Sequence, residues 1–282
     1  MTATSVIDVG GGQRGIFGAG VFDRCIDDGL SFDGCYGVSA GAANVMSFLG
    51  KQKGRNYLFY HDYAMRKEYM SLGNLLQKGS YIDLDYIYGT LSREGGENPL
   101  DYDAIASSPG RLAIVATDAA TGEAVYFGKQ DVPRDDYRVL NASSCLPVLC
   151  RPVQLNGQEY FDGGVADPVP IGKALADGAD RIVLILTRPV DFIMEGRFEE
   201  LSARLLSGTY AACAAALRER ASRYNDSVAL AKKLAEEGRC LLIAPTAVKG
   251  TGTVQRDPAE LDALYREGYR KGGAIASFLQ SN

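Results

Sequence analysis

Short apolar runs punctuated by glycine alternate with helically spaced apolar positions over the first fifty residues. Val6–Val9 is a compact apolar run with the composition of a buried strand. From Gly18 to Asp28 the apolar residues Val21, Phe22, Cys25 and Ile26 recur at helical spacing, and Gly29 follows as a C-terminal cap. Phe32–Val38 predicts a second strand, and Ala40–Leu49 a helix of small residues closed by Gly50. This β-α-β-α order favours a parallel sheet flanked by helices. Arg55–Met70 predicts a helix rich in tyrosine and charge, and residues 72–110 are mixed, with Asp101 as a helix cap. Leu112–Thr117 and Ala124–Gly128 read as a strand pair around the turn Ala120-Thr121-Gly122, followed by a helix over Asp135–Ala142. Val153–Leu155 and Glu159–Phe161 flank Asn156-Gly157, a hairpin signal. Pro168 opens a helix to Ala176, and Arg181–Thr187 is another buried strand. Asp191–Glu237 is helical, with Tyr210–Lys233 the longest candidate, and Cys240–Ala244 is a final strand. The last helix opens at Asp257 and Pro258, with Glu260 in its first turn, and runs to about Leu279. With no repeat, low-complexity tract or linker, the expectation is one domain over 1–282: a core at 6–187 and a mainly helical C-terminal appendage at 188–282.

Composition narrows the class. At 282 residues and 46% hydrophobic content the chain can bury a full core. Its 30 basic and 35 acidic residues give a net charge of −5, and no basic block tracks a phosphate backbone, so nucleic acid is not an expected partner. Cys25, Cys35, Cys145, Cys150, Cys213 and Cys240 lack C-x-x-C spacing, which points to free thiols in a reducing compartment. MTATSVIDV has neither a cationic segment nor a long apolar run, so no signal peptide is expected. No stretch approaches about 20 uninterrupted apolar residues, so none is expected to span a bilayer. The expectation is a cytoplasmic protein with at most peripheral contact to a membrane. Tyr57, Phe59, Tyr60 and Tyr63, with Arg55, Arg66 and Lys67, are either that contact or a helix whose aromatic face lies in the core.

Two glycine-rich turns carry the candidate chemistry. Gly37-Val38-Ser39-Ala40-Gly41 is a G-x-S-x-G between a predicted strand and a predicted helix, the setting of a nucleophile elbow. Gly10-Gly11-Gly12-Gln13-Arg14-Gly15 has two readings. As G-x-G-x-x-G after a strand, with Asp33 downstream, it is a dinucleotide-binding fingerprint. As a run of convergent N–H groups it is an oxyanion hole. Both turns leave the same edge of one β-α-β unit, and the nucleotide reading leaves Ser39 unexplained. A serine hydroxyl needs a base. The chain has a single histidine, His61, in a helical stretch about twenty residues past the elbow. The alternative is Asp162 in the turn Asp162-Gly163-Gly164, a carboxylate whose basicity burial would raise.

The segments GGGQRG, AGVFDRCIDDGLSFDGCYGVSAGAANV and NASSCLPVLCRPVQLNGQEYFDGG resemble the bacterial branch of the patatin-like phospholipases, over roughly Val6 to Asp180. The resemblance implies a three-layer α/β/α fold with a mainly parallel sheet, and a lipid acyl hydrolase with a Ser–Asp dyad and neither metal nor cofactor. It implies Ser39 as nucleophile and Asp162 as base. Oxyanion donors would come from Gly10, Gly11, Gly12, Gln13 and Arg14, with Gly15, Gly37, Gly41, Gly163 and Gly164 as supporting positions. Asp167 stands before Pro168 where the family often has asparagine after its D-G-G, and is read as a structural position. Past residue 188 the resemblance is weak, and the acyl pocket and any lid are expected there. A nucleotide-binding module and a catalytically silent lipid binder are the alternatives. The partner expected is a lipid or ester substrate; oligomeric state, head group and chain length are not given.

Overall fold

The computed structural model describes residues 2–248, 253, 254 and 256–280. Five parallel strands form the centre of the sheet: β1 (Thr4–Asp8), β2 (Gly34–Val38), β3 (Arg111–Asp118), β7 (Arg181–Ile185) and β8 (Cys240–Ile243), in the order β3-β2-β1-β7-β8. β4 (Ala124–Phe127) and β6 (Gln158–Asp162) run antiparallel to β3, and β5 (Val153–Leu155) antiparallel to β6. Because helices cover both faces, the central strands are apolar at successive positions and not merely alternate ones. Along β1, Val6 enters the core on one face and Ile7 the core on the other; along β7, Val183 and Ile185 face one way and Ile182 and Leu184 the other.

The first core is closed by α1 (Ile16–Asp27), α2 (Ala40–Leu49) and α6 (Arg138–Ser144), and the second by α7 (Ile171–Ala176) and α9 (Ala211–Glu236). The result is a three-layer α/β/α sandwich with a mixed sheet, parallel at its centre. The C-terminal part is not purely helical, since β8 extends the sheet beside β7. α10 (Pro258–Gly272) packs on α1 through Leu261 and Leu264, and its Asp257 cap accepts the N–H groups of Ala259 and Glu260 at 2.9 and 3.1 Å. No helix among the described residues is long and apolar enough to cross a membrane. All six cysteines are buried free thiols.

Several predicted boundaries move. The helix expected over 55–70 ends at His61: α3 is Arg55–His61, and a short 3₁₀ turn over Tyr63–Met65 follows. The break lets Phe59, Tyr63, Tyr69 and Met70 all reach one core. The aromatic stretch therefore faces inward, and Arg55 is buried with it, donating to Ser92 Oγ at 2.8 Å. The helix expected from Asp135 starts at Arg138, because Asp135 has φ +61°, a left-handed conformation outside the helical region. The helix expected from Pro168 starts at Ile171, since Val169 precedes Pro170 and is biased towards extended backbone. The mixed segment 72–110 contains α4 (Leu72–Lys78), a π-helical turn over Asp85–Thr90 and α5 (Tyr102–Ser107), the last capped by Asp101 as expected.

Candidate active site

β1 and β2 are adjacent and parallel, with Asp8 opposite Gly37, so the turns that follow them leave the sheet side by side. Gly10, Gly11 and Gly12 have φ of +64°, +121° and +61°, conformations glycine adopts without steric penalty. Ser39 is held at φ 56°, ψ −129° between β2 and α2, the strained backbone of a nucleophile elbow. The two turns are interlocked. A Cβ on Gly10 would sit 2.2 Å from the Val38 carbonyl oxygen, and one on Gly41 would sit 2.2 Å from that of Asp8.

Asp162 reaches the same edge from a different direction. The Asn156-Gly157 hairpin returns the chain as β6, antiparallel to β3, with Asp162 opposite Ala116 at the end of the strand. Its backbone is fixed on both sides: the N–H donates to the Cys145 carbonyl at 2.8 Å, and the C=O accepts from Thr117 Oγ1 at 2.8 Å. Ser39, Asp162, Gly10, Gly11, Gly12 and Arg14 line one cavity. Ser39 and Asp162 are 8% and 3% exposed. Asp162 Oδ1 accepts the Gly164 N–H at 2.7 Å, while Oδ2 is buried with no hydrogen-bond partner among the described residues. Burial pushes the carboxyl up to about 6, against smaller opposing effects of the Ser39 hydroxyl, the Gly164 amide and Arg220. Ser39 and Asp162 are thus brought to the lining of one cavity with the Oδ2 side of the carboxyl unpaired among the described residues.

The surrounding contacts show which predicted groups are available. The Gly10 N–H donates to Asp8 Oδ1 at 2.9 Å and the Gln13 N–H to the Thr253 carbonyl at 3.0 Å. Two of the predicted loop donors, the amides of Gly10 and Gln13, are therefore already engaged within the fold. Gly15 accepts from Asn44 Nδ2 at 2.8 Å through its carbonyl, and Gly164 from Arg220 Nε at 2.7 Å. A Cβ on Gly37 would lie 2.4 Å from Ala42 Cα, and one on Gly163 2.2 Å from the Val115 carbonyl oxygen, so both permit close packing under the site. His61 lies elsewhere: it stacks on Tyr57 at 4.9 Å, pairs with Asp62 at 2.6 Å and lines none of the cavities that contain Ser39. Asp33 precedes β2 and accepts the Thr4 N–H at 2.8 Å, at the end of the sheet away from the glycine loop. The ribose-binding role the nucleotide reading assigned to it has no geometry here. Asp167 accepts the Tyr126 hydroxyl at 2.7 Å. Among the described residues no group of three or more His, Cys, Asp or Glu side chains is placed to hold a metal.

Some supporting residues escaped the sequence reading. Asp8 is fully buried, and burial raises its carboxyl to about 6 against hydrogen bonds from Asn44 and Gly10. It ties the glycine loop to Asn44 of α2 at 2.8 Å, and the Tyr60 hydroxyl donates to Asn44 Oδ1 at 3.2 Å. Ser143 Oγ accepts the Ser39 N–H at 2.9 Å. The only signal for Asp8 was an acid closing an otherwise apolar strand.

Ser39 stands between two unlike spaces. On one side is a small cavity of about 60 Å³ lined by Ala43, Phe59, Met70, Leu84, Ile87 and Tyr88, with Arg55 and Asn56 also at its wall. Thr253 also lines it, and the other residues come from before 188. On the other side a larger cavity of about 460 Å³ reaches from Asp162 past Arg188, Phe192, Met194 and Arg220 to α8 (Arg197–Leu206).

Comparison with known proteins agrees with this architecture. The model of the family described as "Patatin-like phospholipase" matches residues 9–175, and that of "Domain of unknown function (DUF6363)" matches residues 210–279. The chain is 32% identical over 195 residues, 64% of its length, to "Uncharacterized protein YjjU" of Escherichia coli (strain K12), and spans about half (50%) of that relative. The crystal structure of VipD from Legionella pneumophila superposes with a TM-score of 0.50 over 98% of this chain and 67% of VipD, at 16% identity, a likeness of fold alone. Matched over more than half its length by that first model, with both glycine-rich turns inside the match, the chain belongs to the patatin-like phospholipase family, whose general character is lipid acyl hydrolysis.

Proposed function

We propose that this chain is a serine acyl hydrolase that cleaves fatty-acyl esters with Ser39 as nucleophile and Asp162 as general base. The observation that carries the reading is the meeting of a strained serine, a buried carboxylate with one unpartnered oxygen and two glycine amides in one cavity. Ser39 Oγ attacks the ester carbonyl and its proton passes to Asp162 Oδ2. The carbonyl oxygen takes the negative charge and is held by the N–H groups of Gly11 and Gly12. Asp162 returns the proton to the leaving alcohol. In the second half a water loses its proton to Asp162 and attacks the acyl-serine, releasing the fatty acid and the free hydroxyl. A base contributes roughly 10²- to 10⁴-fold and each oxyanion donor about 10²- to 10³-fold. Burial suits Asp162 to the first task, because a raised pKa makes the ionised carboxylate a stronger base.

The cavity that runs from Asp162 past Phe192, Met194 and Leu217 to α8 offers the roomier apolar walls for an acyl chain, and the small apolar space beside Ser39 adjoins it through Leu146 and Thr253. Contact with a lipid surface belongs to the same reading and moves to α8. There Glu199, Ser202, Ala203 and Leu206 face inward, while Phe198, Leu201 and Leu205 are 67%, 59% and 67% exposed. Phe198 also lines the cavity that contains Asp162, so the apolar stripe continues into the site. Six buried thiols suit a reducing compartment, which favours action from the cytoplasmic side. The test is labelling with a fluorophosphonate probe followed by mass-spectrometric mapping. The expected result is a single adduct on Ser39; an intact, unlabelled Ser39 in a protein that turns over no ester sinks the reading.

A further inference from the structure

Two of the buried thiols lie against one another beside the site, and neither takes part in the proposed chemistry. Cys145 follows α6, and Cys150 ends the turn formed by residues 146–149. The Cys150 N–H closes that turn on the Leu146 carbonyl at 2.9 Å. Within it Val148 has φ +72°, a left-handed conformation that is costly for a β-branched residue. So bent, the turn brings Cys150 back to its partner: the Cys145 thiol has two acceptors, the Arg151 carbonyl oxygen at 2.8 Å and the Cys150 sulfur. The hydrogen that Cys145 offers lowers the Cys150 thiol, whereas burial raises Cys145. Burial also raises Cys25, Cys35, Cys213 and Cys240, so Cys150 alone of the six is pushed towards thiolate. It is also within reach of solvent. Cys150 lines a cavity of about 330 Å³ that holds neither Ser39 nor Asp162, and the half-exposed side chains of Lys78 and Arg138 stand at its rim.

The pair is joined to the site through the backbone. The Cys145 carbonyl accepts the Asp162 N–H at 2.8 Å, and Ser143, two residues earlier, accepts the Ser39 N–H at 2.9 Å. Leu146 lines each of the three cavities that hold Ser39 or Asp162. We propose that Cys145 and Cys150 are a peroxide-sensitive dithiol, whose closure to an intramolecular disulfide shifts the 146–149 turn and lowers turnover at Ser39. The Cys150 sulfur attacks one oxygen of hydrogen peroxide and the O–O bond breaks. Cys150 becomes a sulfenic acid, and the departing hydroxide takes the proton that Cys150 gave up, forming water. The Cys145 sulfur then attacks the Cys150 sulfur, the S–O bond breaks, and the second hydroxide leaves as water with the Cys145 proton. Two thiols are oxidised to one disulfide and one peroxide is reduced to two waters. Forming the S–S bond draws Cys145 from the Arg151 carbonyl and Cys150 from that of Ile82, now 3.8 Å away, so the peptide that holds Asp162 moves with them. The effect on turnover rests on the acyl hydrolase reading above; the disulfide itself does not.

The linkage is read by treating the whole chain with hydrogen peroxide, then unfolding it, alkylating it and digesting it with trypsin. Pro152 blocks cleavage after Arg151, so the peptide Val139–Lys173 carries Cys145 and Cys150 and no other cysteine. Expected is that peptide unalkylated and lighter by two hydrogens, with Cys25, Cys35, Cys213 and Cys240 alkylated. Hydrolysis of a p-nitrophenyl ester should fall about 10- to 100-fold in step with the linkage. It should return with dithiothreitol, which does not reverse methionine sulfoxide. Cys150→Ser and Cys150→Ala should keep the activity of the reduced protein and lose the response to peroxide. Cys145 and Cys150 both alkylated after peroxide, or other cysteines linked in their place, overturns the dithiol site, and this result needs no variant. Linkage with unchanged turnover overturns its control of the cleft. A loss that persists in Cys150→Ser belongs to another oxidation and overturns that control as well. Linkage in a protein whose Ser39 is unlabelled by fluorophosphonate and inert overturns the hydrolase reading and supports the dithiol site.

Discussion

The two walls of the Ser39 cleft are built on opposite principles. The wall from residues 43–88 is aromatic and aliphatic, continuous with the main core and stiffened by Arg55, buried with serine and carbonyl partners. The wall from residues 188–220 mixes apolar side chains such as Phe192, Met194 and Leu217 with Arg188, Arg220 and Glu199, and its α8 turns large apolar side chains to solvent and Glu199 and Ser202 inward. The first wall is an extension of folding: the residues that stabilise the protein also shape the space. The second is assembled by charge pairs and by α9, whose Arg220 and Arg223 hold the carbonyls of Gly164 and Ala166 at 2.7 and 3.1 Å.

The largest expected effect concerns the chemistry between the walls. Ser39→Ala and Asp162→Asn should each lower hydrolysis of a p-nitrophenyl ester by about 10³-fold or more while circular dichroism stays native. His61→Ala should keep most activity, and a loss as deep as that of Ser39→Ala would return the base to histidine. Ala43→Trp fills the apolar wall, and should lower kcat/KM for a long-chain ester about 10- to 100-fold relative to the acetyl ester, since each buried methylene contributes about 0.8 kcal/mol. If chain-length preference moved with Phe192 and not with residue 43, the chain would lie in the larger cavity alone. On the other wall, Leu201→Glu with Leu205→Glu should reduce flotation with lipid vesicles severalfold, read against hydrolysis of a soluble short-chain ester in the same samples.

The pH dependence is smaller and is read at Asp162, with Asp8 raised into the same range beneath the glycine loop. Asp162 must be ionised to accept the Ser39 proton, so kcat/KM should rise with pH through about 6 and then level off. The stability effect has the opposite sign. Its carboxyl is raised in the folded state, so the folded protein gains from the bound proton at low pH and loses that gain as pH rises from the ordinary carboxylate range through about 6. Asp162→Asn should therefore stabilise the protein by about 1–2 kcal/mol at pH 8, less towards pH 4, measured by urea unfolding at both. Equal stabilisation at both pH values would mean that burial of the charge is not its source.

What the sequence made legible was local. The glycine loop, the elbow and the Asn156-Gly157 hairpin each depend on a backbone conformation that neighbouring residues dictate, and Ser39 and Asp162 fall in the same cavity. The end of α3 at His61 depends on Tyr63, Tyr69 and Met70 finding a core that only the folded chain supplies. Arg188 and Arg220 gave no pattern: one follows an ordinary strand and the other sits in an alanine-rich helix, and only the folded chain brings both to the lining of the Ser39 cavity. Asp8 looked like the polar end of a strand until its partners Gly10 and Asn44 were in place.

The interlocking of the two glycine turns has a practical consequence for protein engineers. With Gly10 wedged against Val38 and Gly41 against Asp8, neither turn can accept even a methyl group unless the other retreats. Libraries that randomise these positions would mostly return unfolded clones, so variation aimed at new ester preferences belongs in the side walls, where bulk can change without shifting the serine.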